Sequence, residues 1–246
     1  MSIKNLLDET KTAIKTTFVA LNVQNMLSFT EENYLKTIFS LIEDNKGMAS
    51  TNEIAAKIKT KAPTVTDMLK RLASKSLINY TPYQGVQFTE NGLQIAITLV
   101  RKHRIWETFL VNKLGFGWGE VHEIAEELEH VKSIELINKL DSFLGFPKHD
   151  PHGDPIPDKN GNLEFHKDVT ISNLGLNHFG LVVGLKDTSP DFLKYLVKTG
   201  LTLGQSVGVK NINEYDKSID IIVGSTSPVT VSNTVAENIF IKKLSR

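Results

Sequence analysis

Cysteine is absent from all 246 residues. That excludes disulfides and thiolate metal sites, so any bound metal must be held by imidazole, carboxylate or amide groups. No apolar run approaches the ~18 residues that mark a membrane span. The first residues mix Lys4, Asp8, Glu9 and Lys11 with short apolar pairs, which makes a poor signal peptide. No membrane association is expected, and a cytoplasmic setting fits. There is no glycine-rich phosphate loop, no nucleophile elbow, no internal repeat and no low-complexity tract. Net charge is lacking too, since 28 Lys and Arg balance 28 Asp and Glu. What remains is a chain of ordinary hydrophobicity, 40% apolar, long enough for one large or two to three small domains.

The balanced charge hides an uneven distribution. Between Ser50 and Asn79 stand six cations (Lys57, Lys59, Lys61, Lys70, Arg71, Lys75) against Glu53 and Asp67. Residues 120–141 reverse this, with seven acids against Lys132 and Lys139. The basic stretch also carries a recognisable pattern. Tyr34, Leu35, Ile38, Leu41 and Ile42 repeat at helix spacing, with Thr30 as N-cap and Gly47 as stop. Ser50 and Glu53 form a capping box. Pro63 opens a further helix whose buried face is Val65, Met68, Leu69 and Leu72. INYTPYQGVQFT then alternates around Gly85, as a hairpin does. Helix, short helix, turn, second helix and hairpin make a winged helix-turn-helix. A basic unit of this kind is the footprint expected for phosphate contact. Lys61, Pro63, Thr64, Thr66 and Lys70 are the candidates at the recognition helix, and Tyr83 and Gln84 at the wing. The plainer alternative is a solvated helix pair in a partner-binding module.

From Asn91 the pattern is helical again, through GLQIAITLVRKHRIWETFLVNKLGF, HEIAEELEH and SIELINKLDSFLGF. PKHDPHGDPIPDKNG then breaks it, being too rich in Pro, Gly and Asp for regular structure. Residues 163–246 alternate in short segments around one helix, DFLKYLVKTG, which Asp191 or Ser189 can cap and Gly200 can end. This reads as a small β-barrel. Residues 1–25 show only a weak helical pattern, and no function is assigned to that extension.

The acidic stretch raises the chemical question. At about 100° per residue, His122, Glu126, Glu129 and His130 fall on one side of a helical wheel, and Ile124, Ala125, Leu128 and Val131 on the other. His103 and Glu107 stand four apart in the preceding helix and also share a face. Six ligand-type side chains thus sit on two neighbouring helices. Mixed imidazole and carboxylate donors suit Mn²⁺, Fe²⁺, Co²⁺ or Zn²⁺, whereas Mg²⁺ and Ca²⁺ prefer oxygen alone. Position 126 is Glu rather than the His a zinc-peptidase H-x-x-E-H motif needs. The Glu-x-x-His unit of a di-iron bundle occurs once, at Glu127–His130, with no second copy.

The order of these features resembles the diphtheria-toxin-repressor family of metal-dependent transcription regulators, and its manganese type more than its iron type. The features are a winged helix, the His103–Glu107 pair, H-x-x-x-E-x-x-E-H at 122–130, HDPHGDPIP at 149–157, and a small barrel. The resemblance covers about residues 26–246. It implies an α+β chain with a winged helix-turn-helix over 26–91, a helical dimerisation and metal-binding domain over 92–147, a Pro/Gly-rich linker over 148–162, and an SH3-like (FeoA-like) domain over 163–246. It implies a homodimer that binds a divalent metal and then a palindromic operator, repressing metal-uptake genes, with no organic cofactor and no enzymatic activity. Glu129 and His130 match primary ligands, and Glu126 matches a position held by cysteine or glutamate. His103, Glu107 and His122 match the other ligand positions. The N-terminal helix normally adds a ligand, and here that position is Asn33. Lys36 stands where some manganese-type members have glutamate. Asp187 falls near a further ligand position in the barrel. All-imidazole, carboxylate and amide donors favour Mn²⁺ first and Fe²⁺ second, and Zn²⁺ or Co²⁺ can substitute in vitro. The rival readings are a winged-helix regulator that answers to a non-metal ligand, and a metal-dependent hydrolase.

Overall fold

The computed structural model describes residues 27–45, 47–117, 119–163, 169–224 and 227–244. The weak helical pattern of residues 1–25 lies outside them. The chain divides into two compact units. One holds the residues through Lys102 together with Glu129–Ile134 and Pro157–Gly161. The other holds His103–Leu128, Glu135–Ile156 and Asn162–Arg246.

The first unit is the winged helix-turn-helix expected from the sequence. Helix α1 spans Phe29–Asn45, α2 Thr51–Ile58 and α3 Ala62–Ser74, followed by strands β1 (Ile78–Thr81) and β2 (Gly85–Phe88). The cap of α1 is Ser28, not Thr30. Ser28 Oγ accepts the Glu31 N–H, and the Glu31 carboxylate accepts the Ser28 N–H at 2.9 Å. A serine–glutamate box satisfies two end groups where Thr30 and Asn33 would satisfy one, so the helix begins earlier. The Ser50–Glu53 box on α2 forms as expected. Helix α3 starts with Pro63 in its first turn. Leu35, Ile38, Ile54, Val65, Leu69, Leu72 and Val86 are fully buried at the centre of this unit. The hairpin pairs Ile78 with Phe88 and Thr81 with Gly85, and Tyr83 at its tip takes a positive φ of 66°.

Helix α4 (Glu90–Leu114) begins in the first unit and continues into the second, where α5 (Val121–Leu128) and α6 (Ile134–Phe143) follow. Leu110, Val121 and Ala125 form one small core there, and Ile105, Ile137, Leu140 and Ile156 another. The C-terminal part builds a six-stranded antiparallel sheet from β3 (Val169–Thr170), β4 (Phe179–Leu185), β5 (Ser206–Ile212), β6 (Ile219–Val223), β7 (Val229–Val231) and β8 (Ile239–Lys243). Its order is β3-β8-β4-β5-β6-β7. Among the described residues β3 and β7 do not pair, so the sheet stays open rather than closing into the expected barrel. Helix α7 (Pro190–Thr199) supplies Leu193 and Leu196 to its core, and α8 (Asn233–Glu237) supplies Ala236.

Residues 148–156 form no helix or strand, as their composition implies, but they are no slack connector. Asp150 and His152 are buried. The Asp150 carboxylate accepts the N–H of His152 at 2.8 Å and of Asp154 at 2.9 Å. Arg104 of α4 donates to the Pro155 carbonyl at 2.6 Å, and the Leu185 N–H of β4 donates to the His152 carbonyl.

Candidate functional site

The six expected ligands are divided between the two compact units. They separate into two sets, each within one unit. Helix α5 ends at Leu128, so Glu129 and His130 lie in a turn beyond it and leave the wheel that placed them beside His122. A salt bridge from Lys36 to Glu129 and a hydrogen bond between His130 and Glu32 tie both residues to α1, and these override the helical period.

The outer set is built on Glu107, one turn after His103 on α4. Glu107 is 2% exposed. Its Oε1 lies 3.0 Å from His103 Nε2, 3.3 Å from His122 Nδ1 and 3.6 Å from His152 Nε2. Three imidazoles therefore converge on one carboxylate oxygen. His103 Nε2 and His122 Nδ1 are 3.2 Å apart. One donor atom each from His103, Glu107 and His122 lies within 4.8 Å of the others. Atoms this close together could hold one cation, and the donors are of the borderline and hard type. Glu126 stands at the rim, 3.5 Å from His122 Nε2.

Charge accumulates in this set. Burial pushes the Glu107 carboxyl up, but His103 opposes it by charge and hydrogen bond. With hydrogen bonds from His122 and His152 added, the carboxyl is held well below its usual range. Hydrogen bonds to Glu107 and Glu126 raise His122 to about 9, against the opposing pull of burial. His152 is also raised, because Glu107, Asp150 and Asp154 outweigh its burial. Asp150 is pushed up to about 7 by burial and by the nearby charges of Asp154 and Glu107. His152 was not singled out from the sequence. The signal for it was the buried loop that carries it, and loop burial leaves no periodic trace.

The inner set lies in the first unit. Glu129 is fully buried, and Lys36 Nζ donates to its Oε2 at 2.7 Å. His130 Nδ1 shares a short hydrogen bond with Glu32 Oε2, and the His130 ring stacks on Phe29 with centroids 4.3 Å apart. Lys132 Nζ lies 3.2 Å from Glu32 Oε1. Lys102 is 1% exposed. Burial lowers its pKa, with Lys132 adding to the fall and Glu32 and Glu129 opposing it. Asn33 Oδ1 is buried without a hydrogen-bond partner among the described residues. Glu32, beside the expected Asn33, is the carboxylate that meets His130. The sequence reading passed over it because the two are adjacent on α1 and only packing chooses between them.

Asp187 joins neither set. Its Oδ1 accepts the Ser189 N–H at 2.8 Å, ahead of α7, where Ser189 is the N-cap.

At the recognition helix, Lys61, Pro63, Thr64 and Lys70 are exposed and Thr66 half-buried, while Tyr83 and Gln84 are exposed at the wing. The N-cap Lys61 makes no side-chain cap bond. Three of the six cations counted in this region are engaged within the unit, Lys57 by donating to Ser40 Oγ at 2.7 Å. Arg71 and Lys75 pair with buried Glu31 of α1 at 3.0 and 2.6 Å. Burial raises Glu31, but the Lys75 hydrogen bond, the Ser28 N–H and both charges hold it below its usual value.

Comparison with known proteins bears directly on this arrangement. Residues 26–86 match the model for the iron dependent repressor N-terminal DNA binding domain. Residues 89–158 match that for the iron dependent repressor metal binding and dimerisation domain, and residues 169–243 the FeoA domain. A solved manganese-dependent transcriptional repressor in complex with manganese is 33% identical, covers 87% of this chain and is itself covered completely, with a TM-score of 0.80. The chain belongs to the diphtheria-toxin-repressor family. Within that family, the iron-dependent repressor IdeR of Mycobacterium tuberculosis is 35% identical over 133 residues, 54% of this chain and 57% of IdeR. The diphtheria toxin repressor of Corynebacterium glutamicum is 33% identical over 129 residues, 52% of this chain and 56% of its own length. The chain thus spans a little over half the length of the curated relatives it matches. No helix of the described residues is long and apolar enough to cross a membrane.

Proposed function

We propose that this family member is a homodimeric, metal-responsive repressor that works in the cytoplasm. On this reading it takes Mn²⁺, or Fe²⁺ as second choice, and then binds a palindromic operator. The observation that carries the reading is the buried Glu107 carboxylate ringed by His103, His122 and His152 in a chain that also holds a winged helix. A regulator of a non-metal ligand gives no role to three imidazoles on one buried acid, and a hydrolase gives none to the winged helix. His103, Glu107 and His122 would hold the ion, with Glu126 at the rim and His152 behind Glu107. At this position His122 would give up its proton, and a bound divalent cation would supply the positive charge instead. His103 and Glu107 fix the start of the second unit on α4, and His122 and Glu126 fix α5. Leu114, Phe116, Leu136, Phe143 and Phe146 are exposed apolar side chains within the stretch matching the metal binding and dimerisation model, and they supply apolar surface for a partner copy. A metal acts as effector only through different affinity for two states, with a coupling of ~1–3 kcal/mol typical.

The direct test is elemental analysis of protein purified without chelator, followed by operator retention with each metal in turn. Retention that responds to Mn²⁺ or Fe²⁺ supports the reading, and equal retention in chelator and in metal overturns it.

Acidity supplies a second expectation. His122 is raised from 6.5 to about 9, so the stability it lends the metal-free fold is present below pH 6.5 and is lost as pH rises to about 9. Metal must displace that proton, so its affinity rises through the same window. Thermal unfolding in chelator and Mn²⁺ titration, both followed from pH 6.5 to 9, are expected to move in opposite directions.

For DNA, Lys70→Ala is expected to weaken retention almost equally on all sequences and to reduce the slope of log affinity against log salt by about one. Thr64→Ala is expected instead to relax sequence preference at one position. Salt titrations on operator and on unrelated DNA distinguish these outcomes.

A further inference from the structure

The inner set is poorly suited to a divalent ion. Glu32 and Glu129 are its two carboxylates, and each already faces a lysine, Lys132 at 3.2 Å and Lys36 at 2.7 Å. Both acids are fully buried, and Lys36 is only 16% exposed. Lys102 adds a third amine, buried among them, whose Nζ has no hydrogen-bond partner among the described residues. A divalent ion entering here would have to displace or repel the ammonium groups that already sit on Glu129 Oε2 and Glu32 Oε1. Asn33, the remaining donor on α1, brings no charge. His130 spends Nδ1 on Glu32 and stacks its ring on Phe29.

We propose that the Lys36 ammonium serves as a built-in cation in the inner set, tying Glu129 to α1 whether or not metal is present. Divalent metal is then confined to His103, Glu107 and His122. The consequence is a division of labour. The tie between α1 and the turn after α5 is permanent, and only the outer set reports metal. Rejection of metal by the inner set follows from its own geometry, whereas the single outer ion rests on the proposed function above.

The experiment combines metal stoichiometry with thermal unfolding in chelator, on wild type, Lys36→Met, Lys36→Glu, Glu107→Gln and Glu129→Gln. Wild type is expected to take up one Mn²⁺ or Co²⁺ per chain, to lose it in Glu107→Gln and to keep it in Glu129→Gln. Lys36→Glu exchanges the cation for a ligand and is expected to raise uptake to two. Lys36→Met is expected to lower the unfolding midpoint in chelator by roughly 6 °C or more, because one partner of a buried pair is gone. Two ions in wild type, or loss of the ion in Glu129→Gln but not in Glu107→Gln, overturns the inference and leaves metal dependence standing. No ion in wild type overturns the outer assignment alone. The lysine tie then stands or falls on the Lys36→Met midpoint, and an unchanged midpoint defeats it.

Discussion

Glu107→Gln is expected to reduce Mn²⁺ affinity by about 100-fold or more. The substitution keeps shape and volume but removes the one negative charge on which His103, His122 and His152 converge, at 3.0, 3.3 and 3.6 Å. Removing one member of a buried ionic set costs on the order of 3–5 kcal/mol, and 1.4 kcal/mol is tenfold in affinity. The amide can still offer an oxygen, so the loss is one of charge and not of geometry. Operator retention should lose its response to metal while the metal-independent remainder stays. Glu126→Gln is the internal comparison. Glu126 is 43% exposed and meets His122 at the rim, 3.5 Å away, so water screens its charge and a loss of only a few-fold is expected. Calorimetric titration of the two variants gives the contrast. Equal losses would show that the acidic helix, and not the buried carboxylate, dominates the site.

The same residues show what sequence alone can and cannot reveal. The winged helix was legible because each part leaves a local mark: the Ser50–Glu53 box, Pro63 in the first turn of α3, and Gly85 at φ 95° beside the hairpin turn. His103 and Glu107 were legible for the same reason, since a spacing of four on an uninterrupted helix guarantees a shared face. The wheel failed where its premise failed. It assumed that the helix of His122 runs through His130, but α5 stops at Leu128. A salt bridge and a hydrogen bond then draw Glu129 and His130 to Lys36 and Glu32, residues 93 and 98 positions away. Contacts of that separation have no period to read. The open sheet has a similar cause, because alternation reports which face of a strand is buried but not whether the edge strands meet. The Pro/Gly stretch is irregular, as its composition implies, but its burial is not legible there, since composition excludes helix and strand without saying what packs on the loop.

That loop carries the other large effect. Gly153→Ala is expected to destabilise the fold by about 2–6 kcal/mol, combining backbone strain at a positive φ with overpacking. Gly153 sits at φ 89°, and a Cβ there would lie 2.1 Å from the Val183 carbonyl oxygen and 2.5 Å from Gly184 Cα. Both are backbone atoms of β4, so no side chain can swing aside. Relief requires the loop to lift from the strand, which breaks the Leu185-to-His152 hydrogen bond and carries His152 away from Glu107. Gly145→Ala is the control. Gly145 has a similar φ of 79°, but nothing lies within 4 Å of its Cβ position, so strain alone remains, about 1–2 kcal/mol. At roughly 2–4 °C per kcal/mol, thermal unfolding should separate the two variants clearly, and equal midpoints would show that the β4 contact carries no weight. Saturating Mn²⁺ should recover part of the Gly153→Ala loss, because an ion that binds only the folded state stabilises it. The recovery should vanish in the Gly153→Ala, Glu107→Gln double variant. That outcome would tie the loop's packing and the metal response to the same carboxylate.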